Sequence, residues 1–180
     1  MTAIATPATV WKLDPTHTSI EFSVKHLMIS TVKGRFADVE GTVTAPGPNV
    51  SDATVEVTIK AASIDTRNEQ RDAHLRSGDF FDADNFPTLT FTSTAIAGSK
   101  DAFTLTGDLT IRGVTRPITL DATFEGQAKD PWGGTRMGFS ASGKFDRRDY
   151  GLVWNQALEA GGVMVSTDVK LQIDAQLIQG

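Results

Sequence analysis

VSTDVKLQIDAQL, residues 165–177, places Val165, Thr167, Val169, Leu171, Ile173, Ala175 and Leu177 on one side of an extended chain and Ser166, Asp168, Lys170, Gln172, Asp174 and Gln176 on the other. A period of two puts one face inside and the other in water, which is the pattern of a half-buried strand. The same alternation recurs in Ile20, Phe22 and Val24, in Val55, Val57 and Ile59, and in Phe103, Leu105, Gly107, Leu109 and Ile111. It recurs again in Ile118, Leu120, Ala122 and Phe124, and in Met137, Phe139, Ala141, Gly143 and Phe145. With segments around Phe36 to Ala45 and Thr88 to Ala95, the chain contains about eight long strands, preceded by a short leader at Trp11 to Leu13. The fold class is all-β.

The breaks between strands carry turn chemistry: Pro46-Gly47-Pro48-Asn49, Gly98-Ser99-Lys100-Asp101, Arg112-Gly113-Val114 and Asp130-Pro131-Trp132-Gly133-Gly134. Most join neighbours as antiparallel hairpins. One stretch departs from this. Thr66-Arg67-Asn68-Glu69 has the form of a capping box, and Arg67 to Arg76 follows without proline or glycine, which predicts a short helix. On it, Asp72 and Arg76 are spaced to pair on the outer face, while Leu75, with Phe80 and Phe81, seats the helix on the sheet.

Antiparallel strands with one wet face form a two-sheet sandwich or a closed barrel. Segments 102–112, 115–125, 135–145 and 163–177 run about eleven to fifteen residues, well beyond the usual ~5 to 6, which favours the tall tilted staves of a barrel. Its inward face includes Ala61, Gly107, Ala122, Ala141, Gly143 and Ala175. These small residues either leave a hollow or fit the taper of a filled barrel, and parity alone does not choose.

At 180 residues the chain is long enough for one domain with a substantial core. Hydrophobic residues at 39% and charged residues at 22% are those of an ordinary globular protein. Seventeen Lys and Arg against 22 Asp and Glu give a net charge of −5 without blocks of one sign, which argues against nucleic acid as a partner. The absence of cysteine removes disulfides, thiolate metal sites and cysteine nucleophiles. Residues 1–9 read as a flexible tail ahead of a domain spanning 10–180. They show neither a basic n-region nor an apolar run, and no stretch reaches the roughly 18 apolar residues of a spanning helix, so the chain reads as cytoplasmic.

His17, His26 and His74 are the only side chains suited to general-base work near neutral pH, and no metal-ligand spacing joins them. His74 is expected to fasten the helix to the barrel. His26 continues the inward series Phe22, Val24 to a strand end, where it is either a hydrogen-bonded core residue or part of a cavity mouth. No Gly-x-Ser-x-Gly elbow and no phosphate-binding glycine loop is present, so neither a catalytic triad nor a cofactor is expected. Arg67, Arg71, Arg76 and Arg147-Arg148 are placed for solvated surface or for a polar rim.

Trp11-x-Leu13-Asp14-Pro15-x-His17-x-x-Ile20-x-Phe22-x-Val24-Lys25-His26-Leu27 closely resembles the opening of the YceI-like family of bacterial lipocalin-like proteins. The stretch from Ser63-Ile64-Asp65-Thr66 to Asp79-Phe80-Phe81 is similar to the family's most distinctive segment. Phe86-Pro87-x-Leu89-x-Phe91, Gly107-Asp108-Leu109-Thr110-Ile111-x-Gly113-Val114-Thr115-x-Pro117 and the Asp130 to Gly134 loop agree as well. The resemblance covers about residues 11–178. It implies a lipocalin-like eight-stranded antiparallel barrel with a helical insert after the third long strand, a homodimer, and a long channel for a polyisoprenoid, prenyl quinone, prenyl pyrophosphate or other long-chain amphiphile. It brings no catalytic residues. Many relatives carry a secretion signal; none is read in residues 1–10, so periplasmic carriage is not the expectation for this chain. Parity and resemblance together assign the ligand-binding lining to Phe22, Val24, Phe36, Val57, Ile59, Phe91, Leu105, Leu109, Phe139, Phe145, Leu171 and Ile173, with His26, Arg148 and Trp154 at an opening. The alternative is an enzyme acting on a hydrophobic substrate with His26 or His74 as base.

Overall fold

The structure is a computed structural model that describes residues 7–180. The strands are β1 (Thr9–Leu13), β2 (Ser19–His26), β3 (Ser30–Phe36), β4 (Val39–Ala45), β5 (Thr54–Lys60), β6 (Ile64–Asp65), β7 (Thr88–Gly98), β8 (Ala102–Ile111), β9 (Val114–Lys129), β10 (Thr135–Asp146) and β11 (Asp168–Gln179), with one helix, α1 (Glu69–Arg76). Every strand pairing is antiparallel, and the pairing of β11 with β1 closes the ring β1-β4-β5-β7-β8-β9-β10-β11 into an eight-stranded barrel.

Several staves are broken. β11 pairs with β1 near its end, Leu177 opposite Leu13, and with β2 nearer its start, Ile173 opposite Ile20, so β1 and β2 act as one long stave interrupted at residues 14–18. β3 and β4 form a second such stave, β3 pairing with β2 and β4 with β1. The kinks let one rim of the barrel extend past the ring as the β2–β3 hairpin. The longer strands β8 to β11 explain why the length argument succeeds: they are tall enough to close with tilt.

The first break is held by buried charge. Asp14 accepts from the Thr16 N–H (2.9 Å) and hydroxyl (2.6 Å), from His17 Nδ1 (2.8 Å) and from Arg136 Nη1 (2.6 Å). Arg136 also donates to Gln176 Oε1 and Asp130 Oδ2. One guanidinium thereby ties the β1/β2 break to β10, β11 and the loop after β9. These donors, Thr16 first, hold the Asp14 carboxyl well below the usual carboxylate range despite its burial. His17 belongs to this seam, far in the fold from the other two histidines.

The structure differs from the sequence expectations at four points. The expected strand over 163–177 begins at Asp168, because 163–167 crosses the barrel end and is pinned by side chains. The helix starts at Glu69 with Asn68 as its cap, Oδ1 accepting from the Arg71 N–H. Thr66 instead is buried, its N–H and hydroxyl donating to Asp72 Oδ1. Asp72 therefore points inward, not toward Arg76, which donates to the carbonyls of Ala62 and Ile64. The barrel wall offered unpaired groups that outcompete an exposed i,i+4 ion pair. Thr9 lies in β1, so the expected tail is shortened at that end; residues 1–6 of it lie outside the described residues.

Candidate functional site

The inward residues of β11 change character along the strand. Val169 and Leu177 at its ends are buried, whereas Leu171, Ile173 and Ala175 between them are only half-buried although they point into the barrel. On β10, Phe139, Ala141 and Phe145 are likewise half-buried. Side chains that face inward yet keep accessible surface border a space, and that space is a chamber of about 660 Å³. Closely packed interiors leave no void of that size.

Of the residues assigned from sequence, Phe22, Val24, His26, Phe36, Val57, Ile59, Phe91, Leu105, Leu109, Phe139, Phe145, Trp154, Leu171 and Ile173 border this chamber. Arg148 does not. Its guanidinium turns outward and pairs with Asp146, which also accepts from the Arg148 N–H. Arg147 takes the inward place, and the signal was in the alternation itself: continuing Ala141, Gly143, Phe145 by two selects 147. The small residues divide. Ala122, Ala141 and Ala175 border the chamber, but a Cβ on Gly107 would lie 2.4 Å from Phe91 Cζ, and one on Gly143 would lie 2.6 Å from Leu120 Cδ2. At those two positions neighbouring side chains lie against the strand backbone and fill the space. Ala61 is fully buried.

The chamber is amphipathic along its length. Val43, Val50, Val55, Ile96, Phe103 and Phe139 bound the end near the β7–β8 hairpin. At the opposite end, under α1, the wall presents His26, Thr66, Asn68, Gln70, Arg71, His74 and Arg147. No aspartate or glutamate borders the chamber among the described residues, so its polar end combines neutral polar groups with basic ones and presents no acidic side chain. Of these the sequence assigns only His26 to the lining, with Arg71 and Arg147 left between solvated surface and a polar rim and His74 as a helix fastener or base, because their place depends on how α1 and the 151–167 segment lie across the barrel.

Arg147 organises that segment. Its Nε donates to Ser166 O (2.9 Å), Nη1 to Leu152 O (2.6 Å) and Trp154 O (2.9 Å), and Nη2 to Val165 O (3.4 Å). Burial lowers its pKa from the ordinary arginine value. Asn155 adds a bond in each direction with Val165. A 17-residue stretch without strands of its own is thus fixed over the barrel end, with Trp154 and Met164 against the chamber. His74 stands edge-on to Phe80 and Trp154, and its Nε2 lies 2.8 Å from Asp79 Oδ2. Its expected fastening role is local: it ties α1 to the turn that follows and to the aromatic lid. Among the described residues no group of three or more His, Asp or Glu is placed to hold a metal ion, and no helix is long and apolar enough to cross a membrane.

A closed antiparallel barrel whose inward side chains border an apolar chamber with one polar end defines a class of barrels that enclose hydrophobic molecules. Comparison narrows the class to a family. Residues 11–177 match the YceI-like domain, and the chain belongs to that family. UPF0312 protein SAS2572 of Staphylococcus aureus (strain MSSA476) is 42% identical over 169 residues, 93% of this chain and 96% of that protein. The Campylobacter jejuni YCEI protein crystal structure is similar at 35% identity with a TM-score of 0.73, covering 87% of this chain and 90% of that one. At the level of fold alone, Burkholderia cenocepacia BcnA is 20% identical with a TM-score of 0.77, covering 91% of this chain and 98% of that one. A polyisoprenoid binding domain from Saccharophagus degradans is 16% identical with a TM-score of 0.71, covering 94% of this chain and 98% of that one.

Proposed function

We propose that this protein binds, stores or carries one long isoprenoid-type molecule, such as a polyisoprenoid, prenyl quinone or prenyl pyrophosphate, with its tail along the chamber. The observation that carries the reading is the row of half-buried inward side chains on β10 and β11, whose accessible surface faces the chamber. Burying about ten methylene equivalents at ~0.8 kcal/mol each gives on the order of 8 kcal/mol before ordering costs. That corresponds to roughly micromolar affinity. The tail supplies most of the binding, and the polar end under α1 orients a head group. The basic character of that end favours an acceptor-rich or anionic head over a cationic one. A polyisoprenoid-binding domain of the same fold supports the ligand class.

Extraction and mass spectrometry of what co-purifies, followed by native mass spectrometry of delipidated protein with a prenyl quinone, tests this. A one-to-one complex is expected; failure to take up any prenyl or long-chain amphiphile refutes it. The His74–Asp79 pair at the polar end supports a second reading, an enzyme acting on a hydrophobic substrate. Turnover lost on His74→Ala or His26→Ala would establish that reading, and turnover unchanged in both would end it. A homodimer is the expected assembly, tested by sedimentation mass.

A further inference from the structure

The hairpin joining β2 to β3 carries a turn at odds with its sequence. Ile29 N–H donates to His26 O (3.1 Å), and the two central residues, Leu27 and Met28, have φ of 52° and 63°. The loop between the last pair, His26 and Ser30, has three residues, and within it a β-turn whose two central φ are both positive is normally built from Asn-Gly or Asp-Gly, because a Cβ is strained there in most other residues. Here it holds two large apolar residues. They are also exposed: Leu27 36%, Met28 57% and the following Ile29 82%. Neither folding of the chain nor turn formation asks for these side chains, and strain kept in place against a cheaper sequence points to a task.

The tip adjoins the polar end of the chamber. The Leu27 N–H donates to Met164 O, His26 bridges Val165, and Met28 Cγ lies 3.7 Å from the Cβ position of Gly162. His26, Met164 and Val165 all border the chamber. On the outward face of the hairpin, Lys25 and Lys33 flank the tip, Lys25 donating to Thr31 Oγ1 and neither forming an ion pair among the described residues. Glu159 is the acidic side chain on the facing 158–162 turn.

We propose that this tip is a membrane-docking wedge: Leu27, Met28 and Ile29 enter the interfacial layer of a lipid bilayer while Lys25 and Lys33 meet anionic head groups, setting the chamber's polar end against the membrane. Three exposed apolar side chains at a hairpin tip suit a lipid surface better than a protein partner, since a stable protein interface takes roughly 20 to 30 residues a side. Apolar residues at a tip with lysines behind them match the layering of a bilayer surface. The inference rests on the lipid-type ligand proposed above for its purpose, not for its geometry. The opposite end of the barrel provides an internal control in Trp132, which is 86% exposed but stands on a loop apart from the tip.

The test is co-sedimentation with vesicles of phosphatidylcholine alone and of phosphatidylcholine with phosphatidylglycerol. The wild type is expected to partition onto both, more strongly with phosphatidylglycerol. L27N/M28G/I29T, which installs a favoured turn, is expected to lose at least about tenfold in partitioning while its Tm is unchanged or raised. I29E, a single exposed change, is expected to lose partitioning as well, and W132A to keep it. Wild-type partitioning by either tip variant, or no partitioning by the wild type, overturns the proposal. So does a sedimentation mass that falls from dimer to monomer in the tip variants, which would give the tip to a second copy of the chain. Prenyl quinone added from ethanol to the same proteins separates the two ideas: uptake by the tip variants with vesicle binding lost supports docking, whereas absence of uptake in every protein refutes the ligand reading and leaves the vesicle result to decide docking.

Discussion

Ala141→Leu tests the chamber through the sign of a stability change. Ala141 lies in the middle of β10, opposite Ala122 of β9 and Ile173 of β11, and is half-buried on its inward face. Leucine adds three carbons there. In a close-packed core such an insertion costs about 1–3 kcal/mol, because neighbours must move. If the side chain instead enters the chamber, three methylene equivalents at ~0.8 kcal/mol gain about 2.4 kcal/mol, less about 0.5–1 for ordering the side chain. The net expectation is stabilisation by about 1.5–2 kcal/mol, a rise in Tm of roughly 3–8 °C for a chain of this size. Urea unfolding of delipidated protein followed by tryptophan fluorescence measures it, with an unchanged slope showing that the compactness of neither state has altered. Prenyl quinone uptake should fall in the same variant. Destabilisation by 1 kcal/mol or more would show that the inward row packs against itself and would refute the chamber argument.

Three further outcomes follow from the same geometry. Arg147→Met should destabilise by at least about 3 kcal/mol and red-shift Trp154 emission, since it strips four carbonyls of their buried donor and frees the segment they belong to. Gly107→Ala should cost about 1–3 kcal/mol in urea unfolding, because the new Cβ would meet not only the Phe91 ring but also the Thr92 carbonyl at 2.5 Å, which is backbone and cannot swing aside. Acid should destabilise the fold through Asp14, Asp65, Asp130 and Asp146, whose pKa values are all lowered by hydrogen bonds from neighbouring side chains and backbone N–H groups. The unfolded chain then binds more protons, so their contribution is present above the unfolded carboxylate value of about 4 and is lost as pH falls below it. Asp14→Asn should flatten the pH dependence of the urea midpoint in that range, and an unaltered profile would show that Asp14 does not contribute to it.

The parity of residues 165–177 and its repeats determined the strands, their inward faces and, through their length, a closed barrel. That much is local, because a period of two follows from strand geometry whatever the neighbours are. It also carried most of the chamber wall, from Phe22 to Ile173. It stopped where backbone alternation stops. Arg148 was chosen over Arg147 because strand parity was not continued through Asp146, and Arg71 and His74 reach the chamber only because α1 lies across the barrel end. Thr66 and Asp72 bonded to each other rather than following the local capping and pairing rules, since burial raises the cost of leaving either without a partner.

Whether the barrel was hollow could not be read from small residues. Alanine and glycine look alike in an alternating pattern, yet Gly107 and Gly143 receive Phe91 and Leu120, whereas Ala122, Ala141 and Ala175 border open space. The difference lies in which rotamer a residue on the adjacent strand adopts, and that is set by register and closure. The sequence by itself thus determined which side chains point inward; only the tertiary structure decided which of them meet each other and which face the chamber, because volume is a property of the closed ring and not of any one strand.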